Sequence, residues 1–261
     1  MIDSQGDHAK GEAAARQLKL KFSLKELTRS AIHSKFLAHR SSFIAHHPMQ
    51  CSRPPEPSEF MPADYFRCHR PEDIFGNDHP LEIDLGCGDG SFLIEMAQHY
   101  PKRNFLGVER LLGRVRGVCK RIQELGLTNV MVLRLESQYT LEYLLAPASV
   151  SRLHLLCPDP WPKARHHKRR LVQQEFLAIL QKTLKPGGEF LFKTDHPEYF
   201  EWVLEEIELF NDSNPNQLFT RLLWPEESKE ERFFYPKTDF QRLWEAKRKL
   251  IHKIRLQYCS K

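Results

Sequence analysis

The chain contains no apolar run of about 18 residues, the length a membrane-spanning helix requires, and no short hydrophobic segment behind basic residues of the kind that directs secretion. Its six cysteines (Cys51, Cys68, Cys87, Cys119, Cys157 and Cys259) are far apart, with no CxxC pair, so neither a zinc cluster nor a disulfide framework is expected. No charge sign dominates. Thirty-nine Lys and Arg against 34 Asp and Glu leave a net charge of +5, a mild bias toward an anionic partner. These shortages point to a cytoplasmic protein in a reducing compartment, with no metal and no membrane contact. What is present is ordinary for a globular chain: 261 residues, 41% hydrophobic and 28% charged, enough for one large core.

Along the chain the character changes near residue 71. Residues 1–22 are polar and read as a disordered or weakly helical leader. Between 22 and 44, Phe22, Leu24, Leu27, Ile32, Phe36 and Leu37 fit an amphipathic helix. Five prolines between 48 and 62 then predict a linker, and Met49 and Met61 are further candidate start sites. Residues 1–70 are therefore expected to be a partly disordered N-terminal extension, and 71–261 the folded domain.

From residue 81 onward, short apolar runs alternate with helical spacing. Strands are expected at 81–85, 104–108, 130–133, 153–156, 190–192, 217–223 and 250–256. Helices are expected from Phe92 and over 111–125, 139–145, 172–184, 197–210 and 238–249, with Gly126 and Lys185-Pro186-Gly187-Gly188 as stop signals. Strand-helix repetition of this length requires crossovers between parallel strands. The expected fold is an α/β open, doubly wound, mostly parallel sheet of about seven strands with an extra N-terminal segment.

Placed on that scaffold, Asp84, Glu109, Glu136, Asp159 and Asp195 each fall at or just beyond the C-terminal end of a strand, the edge where open parallel sheets bind ligands. One such acid alone is usually a helix cap or a surface residue. Five in a row suit a ligand bearing cationic and hydrogen-bond-donating groups. Gly86, Gly88 and Gly90 form a loop that permits close backbone approach. Ser91 stands where a dinucleotide fingerprint needs glycine, and Asp84 would repel a pyrophosphate but attract an ammonium. After the fourth strand comes Cys157-Pro158-Asp159-Pro160-Trp161-Pro162-Lys163-Ala164-Arg165-His166-His167-Lys168-Arg169-Arg170, a stiff loop that sets one carboxylate beside a basic fringe suited to a polyanion.

Several segments carry a family resemblance: Ile74-Phe75-Gly76-Asn77 with Asp84-Leu85-Gly86-Cys87-Gly88-Asp89-Gly90-Ser91-Phe92, Phe105 to Glu109, the Pro158-to-Arg170 run, Lys185-Pro186-Gly187-Gly188, and Lys193-Thr194-Asp195. Together they resemble the bacterial tRNA (guanine-N7)-methyltransferases, over about residues 71–258. The resemblance implies a Rossmann-like methyltransferase that uses S-adenosyl-L-methionine to methylate guanine N7 in the tRNA variable loop; monomer and homodimer both stay open. It implies that Asp84, Gly86, Gly88, Glu109, Glu136 and Asp159 hold the cofactor, with Asp159 also catalytic. Lys163, Asp195, Thr238, Asp239, Phe240 and Gln241 would meet the substrate, and Arg165, Lys168, Arg169 and Arg170 the RNA backbone. The chain departs from the family pattern at Asp84 and Gln241 (usually Glu), at Glu136-Ser137 (usually Asp-Ala) and at Arg248 (usually Gly). The alternatives are a methyltransferase for another RNA or a small molecule, or a non-catalytic RNA-binding relative.

Several side chains have plainer expectations. Cys87 and Cys157 read as small buried groups, and His166 and His167 as phosphate or solvent contacts. Trp161 either stacks on a base or packs under its loop. Tyr199, Phe200 and Trp202 read as core, as do Phe240, Leu243 and Trp244 on a helix capped by Thr238.

Overall fold

In a computed structural model of the chain, residues 56–225 and 233–260 are described, all within one compact unit, Pro55–Lys261. The helix expected at 22–44 and the front of the Pro-rich stretch lie outside the described residues.

Seven strands form one sheet: β1 (Leu81–Leu85), β2 (Asn104–Val108), β3 (Val130–Leu133), β4 (Val150–Leu156), β5 (Leu184–Thr194), β6 (Gln217–Leu222) and β7 (His252–Ser260). Their spatial order is β3-β2-β1-β4-β5-β7-β6, with β1 to β5 parallel and β7 antiparallel to both its neighbours. Both faces of the parallel strands are covered, so β2 and β3 are largely apolar, while β1 and β4 also bury charged side chains. On one face, α2 (Ser91–His99) and α3 (Leu112–Glu124) pack through Phe92, Leu93, Met96, Val115, Val118 and Ile122. On the other, α5 (Gln174–Thr183) and α6 (Pro197–Ser213) pack through Phe176, Leu180, Tyr199, Val203 and Phe210 against Ile83, Leu153, Phe190 and Phe192. The remaining helices are α1 (Pro71–Phe75), α4 (Ser137–Tyr139, continuing as a π-turn over Thr140–Leu144) and α7 (Asp239–Ala246).

Glu56 onward, the described end of the expected linker, is laid along the domain. Glu59 bridges Val132 in parallel, with Phe60 N–H donating to Val132 C=O and Val132 N–H donating to Ser58 C=O, both at 2.9 Å. Further on, His69 N–H donates to Leu144 C=O at 2.7 Å.

A charged ladder crosses the α2/α3 face. Glu82 accepts from Arg103 (2.9 Å), Arg152 (3.0 Å) and His154 (3.0 Å), while Glu189 accepts from Arg152 (2.9 Å) and Arg255 (2.7 Å). His154 also meets the Tyr235 hydroxyl at 2.9 Å. Burial alone would raise the Glu82 carboxyl. The His154 hydrogen bond and the Arg152 and Arg103 charges overcome it and hold the group at about 2.

Candidate active site

The strand order reverses between β1 and β4, and the crevice beyond their C-terminal ends is where this architecture receives ligands. All five acids stand on that edge, in the spatial order Glu136, Glu109, Asp84, Asp159, Asp195.

The glycine loop is anchored by Gly86 and Cys87 N–H groups, which both donate to Val108 C=O at 2.8 and 3.0 Å. Gly86 and Gly88 have φ of +75° and +58°; a Cβ on Gly86 would have no atom within 4 Å, and one on Gly88 only the Gly86 carbonyl at 3.9 Å. The backbone therefore faces an open cradle. Gly90 differs, because a Cβ there would lie 2.6 Å from a Val118 methyl group, and this contact seats α2 against α3.

Asp84, next to that cradle, is 3% exposed and forms no ion pair among the described residues. Burial and the nearby carboxylates of Asp89 and Glu109 push it up to about 7. Glu109 is buried; its Oε1 accepts the Arg110 and Leu111 N–H groups at 2.7 and 2.9 Å, and Oε2 lies 3.4 Å from Arg114. Together these residues fit a ligand with a cationic group over Asp84 and hydroxyls at Glu109. Glu136 is exposed and caps α4, accepting from Tyr139 N–H at 2.7 Å. It also lines a cavity of about 290 Å³ with Gln138, Lys168, Arg169 and Gln173.

Asp159 is exposed, in a loop bracketed by two non-glycine residues with positive φ, Cys157 (53°) and Trp161 (45°). Such backbone costs roughly 1 kcal/mol or more per residue and is found where a loop must hold an unusual shape. Arg170 supplies the hold. Its guanidinium donates to Pro160 C=O (3.0 Å) and Glu198 (3.1 Å) and sits 5.1 and 5.2 Å from the Tyr199 and Trp202 rings. This corrects its expected role. Arg170 is 2% exposed and directed at Pro160, Glu198 and two rings, so it braces the loop and is not placed to meet RNA phosphates. Lys163, Arg165, Lys168 and Arg169 are exposed. Trp161 is half-buried, with Arg169 4.9 Å above its ring and His166 at its edge. His167 lies 3.2 Å from Glu198.

At the end of β5, Lys193 donates to Gln241 (2.7 Å), and Asp195 accepts the indole N–H of Trp244 (2.5 Å). Thr238 caps α7 by accepting from Gln241 N–H, and Asp239 N–H reaches Ser91 of α2 at 3.4 Å. The Thr238-to-Gln241 segment thus abuts the glycine loop. The core expectation for α7 fails. Phe240 and Leu243 are 40% and 51% exposed, because the helix meets the body through Gln241 and Trp244. Sequence reasoning placed Trp244 in the core and missed its link to Asp195, which spans 49 residues and has no local signal. Tyr199 is fully buried, with Phe200 and Trp202 packed beside the core. Cys87 is buried, its thiol raised by burial and neighbouring acids; burial and Asp195 push Cys157 up to about 12, so neither suits a nucleophile. Among the described residues no cluster of His, Cys, Asp or Glu is arranged to hold a metal ion, and no helix is long and apolar enough to cross a membrane.

A family model described as "Putative methyltransferase" matches residues 78–254. A tRNA (guanine-N(7)-)-methyltransferase of Syntrophotalea carbinolica is 40% identical over 152 residues, covering 58% of this chain and 63% of that protein. The chain thus spans less than two thirds of that relative's length. One from Lactococcus lactis subsp. cremoris is 31% identical over 202 residues, 77% of this chain and 89% of its own. Among solved structures, the 16S rRNA methyltransferase KamB superposes with a TM-score of 0.51 at 19% identity, over 73% of this chain and 92% of that one, a likeness of fold.

Proposed function

Since the chain belongs to the family of bacterial tRNA (guanine-N(7)-)-methyltransferases, we propose that it methylates N7 of a guanine in the tRNA variable loop. S-adenosylmethionine, when bound, supplies an electrophilic methyl group on a sulfonium. The residues present fit it: Asp84 would take its ammonium, the open backbone at Gly86 and Gly88 its close approach, and Glu109 Oε2 its ribose hydroxyls. Glu136 would border the adenine. The observation carrying this reading is Asp84, a buried acid without a cation beside an open glycine cradle.

Guanine N7 offers an in-plane lone pair and carries no proton, so no general base is required. The protein's work is to position the base and stabilise charge as it shifts onto the purine. The braced loop after β4 carries Asp159, and Asp195 stands just beyond β5; both carboxylates would accept purine N–H donors. N7 faces the deep groove of an A-form helix, so the target base must be unpaired or splayed out. Lys163 would contact the substrate, with Arg165, Lys168 and Arg169 gripping flanking phosphates for affinity and register.

The test is methyl transfer from labelled S-adenosylmethionine to bulk unmodified tRNA, followed by nucleoside identification. The expected product is 7-methylguanosine, lost when the variable-loop guanine is replaced. Undiminished transfer to that transcript would mean another RNA target, and calorimetry without cofactor binding would mean a non-catalytic relative.

A further inference from the structure

Two hydrogen bonds join α7 to the end of β5, and they are in register. Lys193 is the penultimate residue of β5 and Asp195 the first beyond it; Gln241 and Trp244, three apart, share a face of the helix. Lys193 pairs with Gln241, and Asp195 with Trp244. Lys193 is buried between the Trp224 and Tyr235 rings, 4.9 and 4.8 Å from their centres, so the first pair is fixed from below. The second lies at the crevice, where Asp195 is half-buried.

From this geometry we infer that Trp244 is a positioning residue for the transfer reaction. Its indole N–H occupies one oxygen of Asp195 and so fixes the plane in which the other oxygen meets an N–H donor of the target purine. The inference rests on the function proposed above. An aspartate at a strand end turns about two side-chain bonds, and a hydrogen bond to one oxygen removes the freedom about the second. Oδ1 of Asp195 has no hydrogen-bond partner among the described residues. Trp244 is itself held. Lys247 and Lys249 lie 4.6 and 4.2 Å from its ring centre, and Phe240 packs at 4.9 Å. Phe240 and Leu243 are exposed, so polar contacts seat α7: Lys193 holds Gln241, Glu95 accepts from Arg242 at 2.7 Å, and the indole bond is the one that reaches Asp195.

The test is a double-mutant cycle of Trp244→Phe and Asp195→Asn, read as kcat and KM for tRNA together with S-adenosylmethionine affinity and melting temperature. Trp244→Phe is expected to lower kcat/KM for tRNA about tenfold while cofactor affinity and melting temperature hold, and the double variant to be no worse than Asp195→Asn alone. Additive losses in the cycle, or a Trp244→Phe enzyme as active as wild type, would overturn the inference. Should the phenylalanine variant fold poorly, 3-benzothienylalanine at position 244 keeps the bicyclic ring and lacks only the N–H; it should reproduce the tenfold loss, and wild-type activity there would refute the role. Failure of the wild-type protein to methylate tRNA at all would instead refute the proposed function.

Discussion

Glu82 and Asp84 lie two residues apart on the same face of β1, both buried, yet they end in opposite electrostatic states. Three cationic or titratable side chains surround Glu82 and hold its carboxyl at about 2. Asp84 sits among Asp89 and Glu109 and is pushed to about 7. The lower half of the strand spends its charge on internal pairing, and the upper half leaves a charge uncompensated where the glycine loop opens. An unpaired buried acid costs stability, and such groups persist where a ligand completes them.

Exchanging each acid for its amide is the most direct way to break this contrast. Glu82→Gln strands the Arg152 and Arg103 charges and should lower unfolding stability by about 3–5 kcal/mol in urea titrations, with cofactor affinity of the folded fraction little altered. Asp84→Asn should do the reverse: cofactor binding by calorimetry falls by roughly a hundredfold or more, and stability at pH 8 rises by roughly 2–4 kcal/mol.

Titration sharpens the same contrast. The Asp84 carboxyl is raised in the fold, so its contribution to stability is complete below its unfolded value and is lost as pH rises through 7. The Glu82 carboxyl is depressed, so its contribution is complete above its unfolded value and lost as pH falls toward 2. A cation bound at Asp84 favours the ionised form, so cofactor affinity should weaken up to about tenfold per pH unit below 7. Calorimetry in buffers of different ionisation heat should detect proton release on binding there.

A smaller version of the contrast lies in the basic loop. Lys168→Ala with Arg169→Ala should reduce the slope of log tRNA affinity against log salt by about 2 and leave stability alone. Arg170→Ala should leave the slope unchanged and cost roughly 2 kcal/mol of stability, since it frees the Pro160 carbonyl and opens the core beneath the loop. The smallest effect is expected at Arg248, which holds φ of 56° where only glycine is at ease. Arg248→Gly should raise stability by about 1 kcal/mol in thermal melts.

β2 and β3 were legible in the sequence because strands buried on two faces appear as short apolar runs, and β1 because Leu81, Ile83 and Leu85 alternate with its two acids. The five acids at their ends followed from that placement. The span of β5 was not legible. Lys185-Pro186-Gly187-Gly188 reads as a helix stop, yet the strand begins at Leu184, and Gly188 fits there because a Cβ would lie 2.8 Å from the Lys185 carbonyl. The ladder was also hidden. Glu82, Arg152, Glu189 and Arg255 belong to four different strands, and only sheet order makes them neighbours. Arg170 misled for the opposite reason: it continues a run of cations that are otherwise exposed, and nothing local marks it as the one that turns inward.

The three residues Ser58 to Phe60 occupy the outer flank of β3, where Val132 would otherwise present a bare N–H and C=O. A bare strand flank is a template on which another chain can pair. A shortened chain that began at Met61 would leave that template open and invite self-association, whereas one that began at Met49 would carry its own plug.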